Sequence, residues 1–224
     1  MKQFIKKFLV FAKNIFVKTP NKTYWQKTMQ IVGPAVKEDF DKTGQKQTRD
    51  AIEKFIINHS NRNTLLLDAG CNTAIEGYRL FNKKYKGNYY GVDSNPRAIN
   101  FAKYNLSEYK KNLLVVSDLE KLPFKNKFFE IVLIKDIIEH QRYYENILTE
   151  LVRVAKKYLI LSLFIKLTDK DEDVIKIHKD GYYLNKYSKK LLFNFFSNNG
   201  FKKPKSIYTD SQDEVLVFER KALV

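Results

Sequence analysis

The stretch Thr64-Leu-Leu-Leu-Asp-Ala-Gly-Cys-Asn-Thr-Ala-Ile-Glu-Gly77 restricts the fold of this chain more than any other. An apolar run, Leu65 to Leu67, ends in Asp68, passes through small residues and enters a helical pattern. A second short apolar run ends in another acid, within Tyr89-Tyr-Gly-Val-Asp-Ser-Asn-Pro96. This is the layout of a nucleoside-binding crevice at the carboxyl ends of two parallel strands.

The rest of the chain agrees with that layout. From Thr64 strand and helix patterns alternate with short connections, which implies a parallel sheet covered on both faces. Strands are predicted at 64–68, 88–93, 112–117, 129–134 and 157–164, with helices at about 76–85, 95–105 and 143–154. A long polar loop, 165–185, leads into a helix over 186–198 that Asn199-Gly200 stops. The end differs in kind. Lys205–Thr209 and Glu214–Glu219 read as strands joined by the tight turn Asp210–Asp213, an antiparallel pair at the edge of the sheet. Upstream, residues 21–45 read as short helices and loops, and Gln47–Asn58 as a helix. The expected organisation is an N-terminal helical cap, 1–60, followed by one α/β domain, 61–224.

At 224 residues and 44% hydrophobic, the chain can build one sizeable core. Cys71 is its single cysteine, so there is no internal disulfide, and no Cys/His cluster has metal-ligand spacing. No apolar run approaches the roughly 18 residues needed to span a bilayer, and a cytoplasmic protein is expected. The net charge of +16 invites a nucleic-acid reading, but only seven of the 41 basic residues are arginine. Arginine is the residue that forks onto phosphates and stacks on bases.

The charge is also uneven. Residues 1–37 hold eight lysines and no acid. Within 2–18, Phe4, Ile5, Phe8, Leu9, Phe11, Ala12, Ile15 and Phe16 recur at helical spacing with lysines on the remaining arc. Lysines at 6, 7 and 13 and the lack of an Ala-x-Ala end argue against a signal peptide. Such a helix can lie in an anionic leaflet, which would make the protein peripheral on the inner membrane surface. It can equally pack on the domain itself or on a second copy.

The crevice residues carry the chemistry. Gly70 lets the backbone approach a ligand closely, and Asn72 stands where a left-handed conformation is useful. Free N–H groups of the helix that begins near Thr73 face the crevice. A dinucleotide loop would place glycine at 72 and 75; Asn72 and Ile75 break that fingerprint. Asp68 would oppose a pyrophosphate and better suits a ligand with a positive or amino-acid-like portion. Asp93 can accept from both ribose hydroxyls. Asp118, at the end of the third strand, can accept from an adenine amino group. One strand-end acid commonly just caps the following helix; three at successive strand ends, with apolar residues between, point to a nucleoside.

Asp68-Ala-Gly-Cys-Asn-Thr, Tyr90-Gly-Val-Asp-Ser-Asn-Pro, Ser117-Asp-Leu-Glu-Lys-Leu-Pro-Phe and Phe128-Phe-Glu-Ile-Val-Leu-Ile-Lys-Asp-Ile-Ile-Glu-His resemble, in order and spacing, the motifs of class I S-adenosylmethionine-dependent methyltransferases. The resemblance covers about 64–220. It implies a three-layer, Rossmann-like α/β fold on a seven-stranded sheet, mostly parallel with an antiparallel last strand. It also implies that Asp68, Gly70 and Asn72 border the methionine part of S-adenosylmethionine, Asp93 with Ser94 the ribose, and Asp118 with Leu119 the adenine. Lys135 would lie beside the transferring methyl. The family's second and third loop glycines are Asn72 and Ala74 here.

Methyl transfer is an in-line displacement, so the enzyme must align the acceptor and, for a hydroxyl, remove its proton. Asp136, Glu139 and His140 follow the fourth strand, and His140 has the most suitable ordinary pKa for a base. His178 is a second candidate base, in a loop where Tyr182 and Tyr183 would contact the acceptor, as would Glu139. The leading expectation is methylation, at oxygen, of a small-molecule, glycan or lipid-linked acceptor. RNA or protein methylation is the alternative, although no Asn-Pro-Pro-Tyr-type tetrapeptide follows strand four. A non-catalytic cofactor-binding subunit is a third reading.

Overall fold

A computed structural model describes residues 31, 33–42 and 44–222. The helix expected at 2–18 lies outside them. Seven strands, β1 Leu65–Ala69, β2 Asn88–Asp93, β3 Asn112–Val116, β4 Phe129–Lys135, β5 Ala155–Leu163, β6 Lys205–Thr209 and β7 Glu214–Glu219, form one sheet. Their order is β3-β2-β1-β4-β5-β7-β6. The first five are mutually parallel, and β7 enters antiparallel between β5 and β6.

The apolar runs explain the layers. In β1, Leu66 and Leu67 are both fully buried although they point to opposite faces. A strand can carry such a run only where helices cover both sides. Leu66, Ile131, Leu133 and Ile160 pack against α1 (Lys46–Asn58), α2 (Ile75–Asn82) and α3 (Pro96–Asn105). Leu67, Val132, Ile134 and Leu161 pack against α4 (Glu145–Val154) and α5 (Lys189–Asn198). Ile52 and Ile56 of α1 sit in the first of these cores, so this helix, placed in the cap by its sequence position, belongs to the sheet's own covering layer.

Local chemistry sets most element ends. Asn95 caps α3 by accepting from Arg97 N–H at 2.9 Å, with Pro96 in the first turn. Helix α2 stops at Asn82, short of the predicted 85, because Lys84 turns left-handed and Tyr85 N–H bonds back to Leu80 O at 3.0 Å. Helix α5 starts at Lys189, not 186, because Asn185 and Tyr187 are still needed as inward-pointing residues of the preceding segment. That segment, expected to be a polar loop, contains an antiparallel ribbon. Val174 pairs with Lys186 and Ile177 with Tyr183, and a turn at His178–Gly181 joins the arms. Among the described residues no helix is long and apolar enough to cross a membrane.

Candidate active site

The β1–α2 loop takes an unusual path. Gly70 (φ +78°), Asn72 (+48°) and Ala74 (+63°) are all left-handed. Asn72 thus has the conformation its residue type suggested, and Ala74 carries strain that a glycine would not. Gly70 and Cys71 N–H both donate to Val92 O, at 2.7 and 2.9 Å, which ties the loop to the end of β2. A Cβ on Gly70 would lie 1.8 Å from Ile137 Cδ1, so only glycine fits.

Asp93 organises the second strand end. Its carboxylate accepts from Asn72 N–H at 2.9 Å and Asn95 N–H at 2.8 Å. Burial pushes its pKa up, while backbone N–H groups of residues 95, 72 and 94 pull it back. Each carboxylate oxygen has a further lone pair, the chemistry a ribose diol requires. Ser94 is exposed beside it. On the third strand end, Asp118 accepts from Glu120 N–H at 3.0 Å and is half-buried. Leu119 is buried near Gly70. Asp118 therefore closes its own turn while standing at the expected adenine end.

Asp68 is only 4% exposed and accepts from Tyr89 Oη at 2.5 Å. Desolvation, then the nearby Glu76 carboxylate, raise its pKa to about 7. Arg49 of α1 opposes the shift and forms a buried ion pair with Glu76. The Tyr89 ring lies under α2 at Gly77, where a Cβ would come within 2.7 Å of it. Nothing in the spacing of Arg49, Glu76 and Tyr89 announces this group. The tertiary fold assembles it from residues far apart in sequence, Asp68 and Tyr89 being 21 positions apart. Asn105, fully buried, is another missed residue: it donates to Thr73 O at 2.8 Å and Ala35 O at 3.0 Å, clamping segment 35–37 over the loop.

Beyond β4, Lys135 Nζ pairs with Asp136 and also donates to Gln45 at the start of α1. Asp136 is left-handed (φ +56°), and its Oδ1 has no hydrogen-bond partner among the described residues. His140 donates through Nδ1 to Tyr183 O at 2.8 Å, the tautomer that places a lone pair on Nε2. Burial lowers its pKa. His178 stacks on Tyr182 at 4.5 Å between centroids, and Tyr182 meets His140 edge-on at 5.7 Å. The ribbon thus brings both candidate bases and Tyr182 into one row, which continues through His140 to Phe164 at 5.2 Å.

Two expected acceptor contacts are corrected. Glu139 is fully buried, and its Oε1 accepts from Phe164 N–H at 2.7 Å, so it anchors the end of β5. Burial, with the Asp136 charge adding to it, raises its pKa to about 8. Tyr183 is 2% exposed, and it reaches the row only through its carbonyl.

The residues fit S-adenosylmethionine. A loop that excludes side chains at Gly70, a diol-accepting carboxylate at Asp93 and a buried Arg49 whose Nε lacks a partner among the described residues suit adenosine ribose and an amino-acid carboxylate. Residues 67–161 match the family model described as a methyltransferase domain. No curated protein sequence matches the chain. Among solved structures, magnesium protoporphyrin IX methyltransferase from Synechocystis PCC 6803 with bound SAM is similar, at 18% identity and TM-score 0.60, over 95% of this chain and 96% of its own. The 1,6-didemethyltoxoflavin-N1-methyltransferase of Burkholderia thailandensis is similar at 13% identity and TM-score 0.61, over 83% of this chain and 85% of its own.

The matched segment and the sheet together define the class: residues 67–161 are a methyltransferase domain, and they lie in a Rossmann-like fold. The cofactor of such a domain is S-adenosylmethionine.

Proposed function

We propose that the chain methylates an oxygen of a small-molecule, glycan or lipid-linked acceptor, with His140 as the base. The observation that supports this most is the His140 ring. Its Nδ1–H is committed to Tyr183 O, burial keeps it neutral near pH 7, and Tyr182 and Phe164 border it. A neutral imidazole with its lone pair on Nε2 is what a hydroxyl acceptor needs in order to lose its proton. The two named neighbours act on a magnesium porphyrin and at a toxoflavin nitrogen, so the acceptor must be read from this chain's own lining.

In this reading Asp93 and Asp118 hold the nucleoside, and Lys135 with Asp136 shapes the floor beside the transferring methyl. When bound, S-adenosylmethionine would supply a sulfonium methyl for the acceptor. His140 would take the proton of the acceptor hydroxyl. His178, stacked on Tyr182, orders the ribbon side of the acceptor. The basic segment 2–18 would hold the enzyme against an anionic membrane surface when the acceptor is lipid-linked.

Isotope-labelled S-adenosylmethionine incubated with extract fractions, followed by mass spectrometry, tests the reaction. Label in an ether methyl, lost with His140→Ala, is the expected result; label only on nitrogen, carbon or a carboxylate would refute the reading of a hydroxyl acceptor with His140 as base. Co-sedimentation on anionic vesicles with and without residues 1–18 tests the membrane contact, and equal recovery would refute it.

A further inference from the structure

A cleft of about 390 Å³ opens between the start of α1, the end of β5 and the turn that joins β6 to β7. Its position follows from strand register. Lys135 pairs with Ser162, and Ser162 with Val215, so the β6–β7 turn lies at the same end of the sheet as Asp136. Two inter-strand spacings, about 10 Å, separate β4 from β7. Gln45 joins the two places, since it lines the cleft and accepts from Lys135 Nζ.

The lining has a definite character. Three amides, Gln45, Gln47 and Gln212, each offer a donor and an acceptor. Asp210 and Asp213 add carboxylates, and Phe164 and Tyr208 add ring surface. The carboxylates are held in place beforehand: Asp213 accepts from Thr48 Oγ1 at 3.0 Å, and Asp210 from Tyr208 Oη at 2.7 Å and Gln212 N–H at 2.8 Å. In a chain of net charge +16 this is a locally acidic recess, which disfavours phosphate and carboxylate ligands. A cationic ligand would use the acids and leave the amide donors idle. A ring bearing several hydroxyls uses amides, carboxylates and aromatic faces together.

We infer that this cleft binds a neutral polyhydroxylated ring, a sugar unit of the acceptor, and holds it so that one hydroxyl reaches toward Asp136 and His140. Its link to methylation rests on the function proposed above; the binding itself does not.

The test uses the full chain with S-adenosylhomocysteine and a panel of neutral hexoses, a hexosamine and spermidine, read by saturation-transfer NMR and titration. Gln47 and Gln212 are exposed, so Gln47→Ala/Gln212→Ala leaves the fold intact. We expect a neutral hexose to bind, the double variant to weaken it at least fivefold, and S-adenosylhomocysteine affinity to change less than twofold. Hexose binding unchanged in the variant, binding of spermidine or the hexosamine alone, or no binding by any member would each overturn the inference. Calorimetry with S-adenosylhomocysteine keeps the two ideas apart. Hexose binding without cofactor binding would leave the cleft standing and sink the methyltransferase reading, and cofactor binding without hexose binding would do the reverse.

Discussion

Replacing Gly70 by alanine tests the crevice where its geometry is tightest. The residue sits at φ +78°, a conformation that costs an L-residue about 1–2 kcal/mol. The new methyl would also lie 1.8 Å from Ile137 Cδ1. Forcing an extra carbon into packed surroundings adds about 1–3 kcal/mol, for a total of about 2–5 kcal/mol. The two contributions can be separated, because only the second depends on Ile137. Ile137→Ala alone loses part of an apolar contact, as this side chain is half-buried. In Gly70→Ala/Ile137→Ala the steric part vanishes and the backbone part stays, so the double variant should be more stable than additivity predicts by about 1–3 kcal/mol. Urea unfolding with a shared m-value measures all four proteins. Additive losses would refute the claim that Ile137 closes over Gly70, and with it the assignment of this loop as the floor of a nucleoside site.

Other residues give separate readouts. Asp93→Ala should weaken S-adenosylmethionine binding more than tenfold, about 1.4 kcal/mol or more, by calorimetry; unchanged affinity would falsify the ribose assignment. His140→Ala should lower kcat by roughly 10²–10⁴ with little effect on cofactor affinity. In the wild type, activity should rise with pH through an inflection below histidine's ordinary 6.5, because burial lowers this pKa and the neutral ring is the active form; an inflection above 6.5 would count against His140 as base. Glu139 has a folded pKa of about 8, above its unfolded value, so it favours folding at low pH and that contribution is lost as pH rises from about 4.5 to 8. Glu139→Gln should therefore gain stability relative to wild type across that range, and a constant difference by denaturation would refute the buried, protonated carboxyl.

The strands were readable because each is a short apolar run that stops at a polar residue, and β2, β6 and β7 have the bounds the sequence indicates. The three strand-end acids were readable for the same reason: an acid just after Leu67, Val92 or Ser117 breaks a pattern that burial would otherwise continue. The acceptor side left no such trace. Its row of rings joins His140 to His178 and Tyr182 through a ribbon held by pairings such as Ile177 with Tyr183, and a polar segment shows no periodicity that announces them. Glu139 misled because a carboxylate beside a histidine reads the same whether it faces substrate or backbone N–H groups.

This division has a physical origin. The proposed donor crevice is built within successive β-α units, where the residues assigned to the nucleoside lie at strand ends and local pattern locates them. The proposed acceptor side draws on segments remote in sequence: Gln45 just before α1, Thr48 in α1, Phe164 after β5, the ribbon turn at 178–181 and the turn at 210–213. Apart from Thr48, which is buried in α1, these residues lie in connections between core elements, outside the packing of Leu66, Leu67 and the strands beside them. Gln45 and Lys135 form the joint between the two halves. In the proposed reading, a change of acceptor would be accommodated at the α1 start, the ribbon and the β6–β7 turn, while Asp93, Gly70 and the sheet would keep the donor fixed. If the proposed sugar cleft is right, the amides and acids at 45, 47, 210, 212 and 213 set this chain's selectivity, and substitutions there should change the acceptor without changing cofactor affinity.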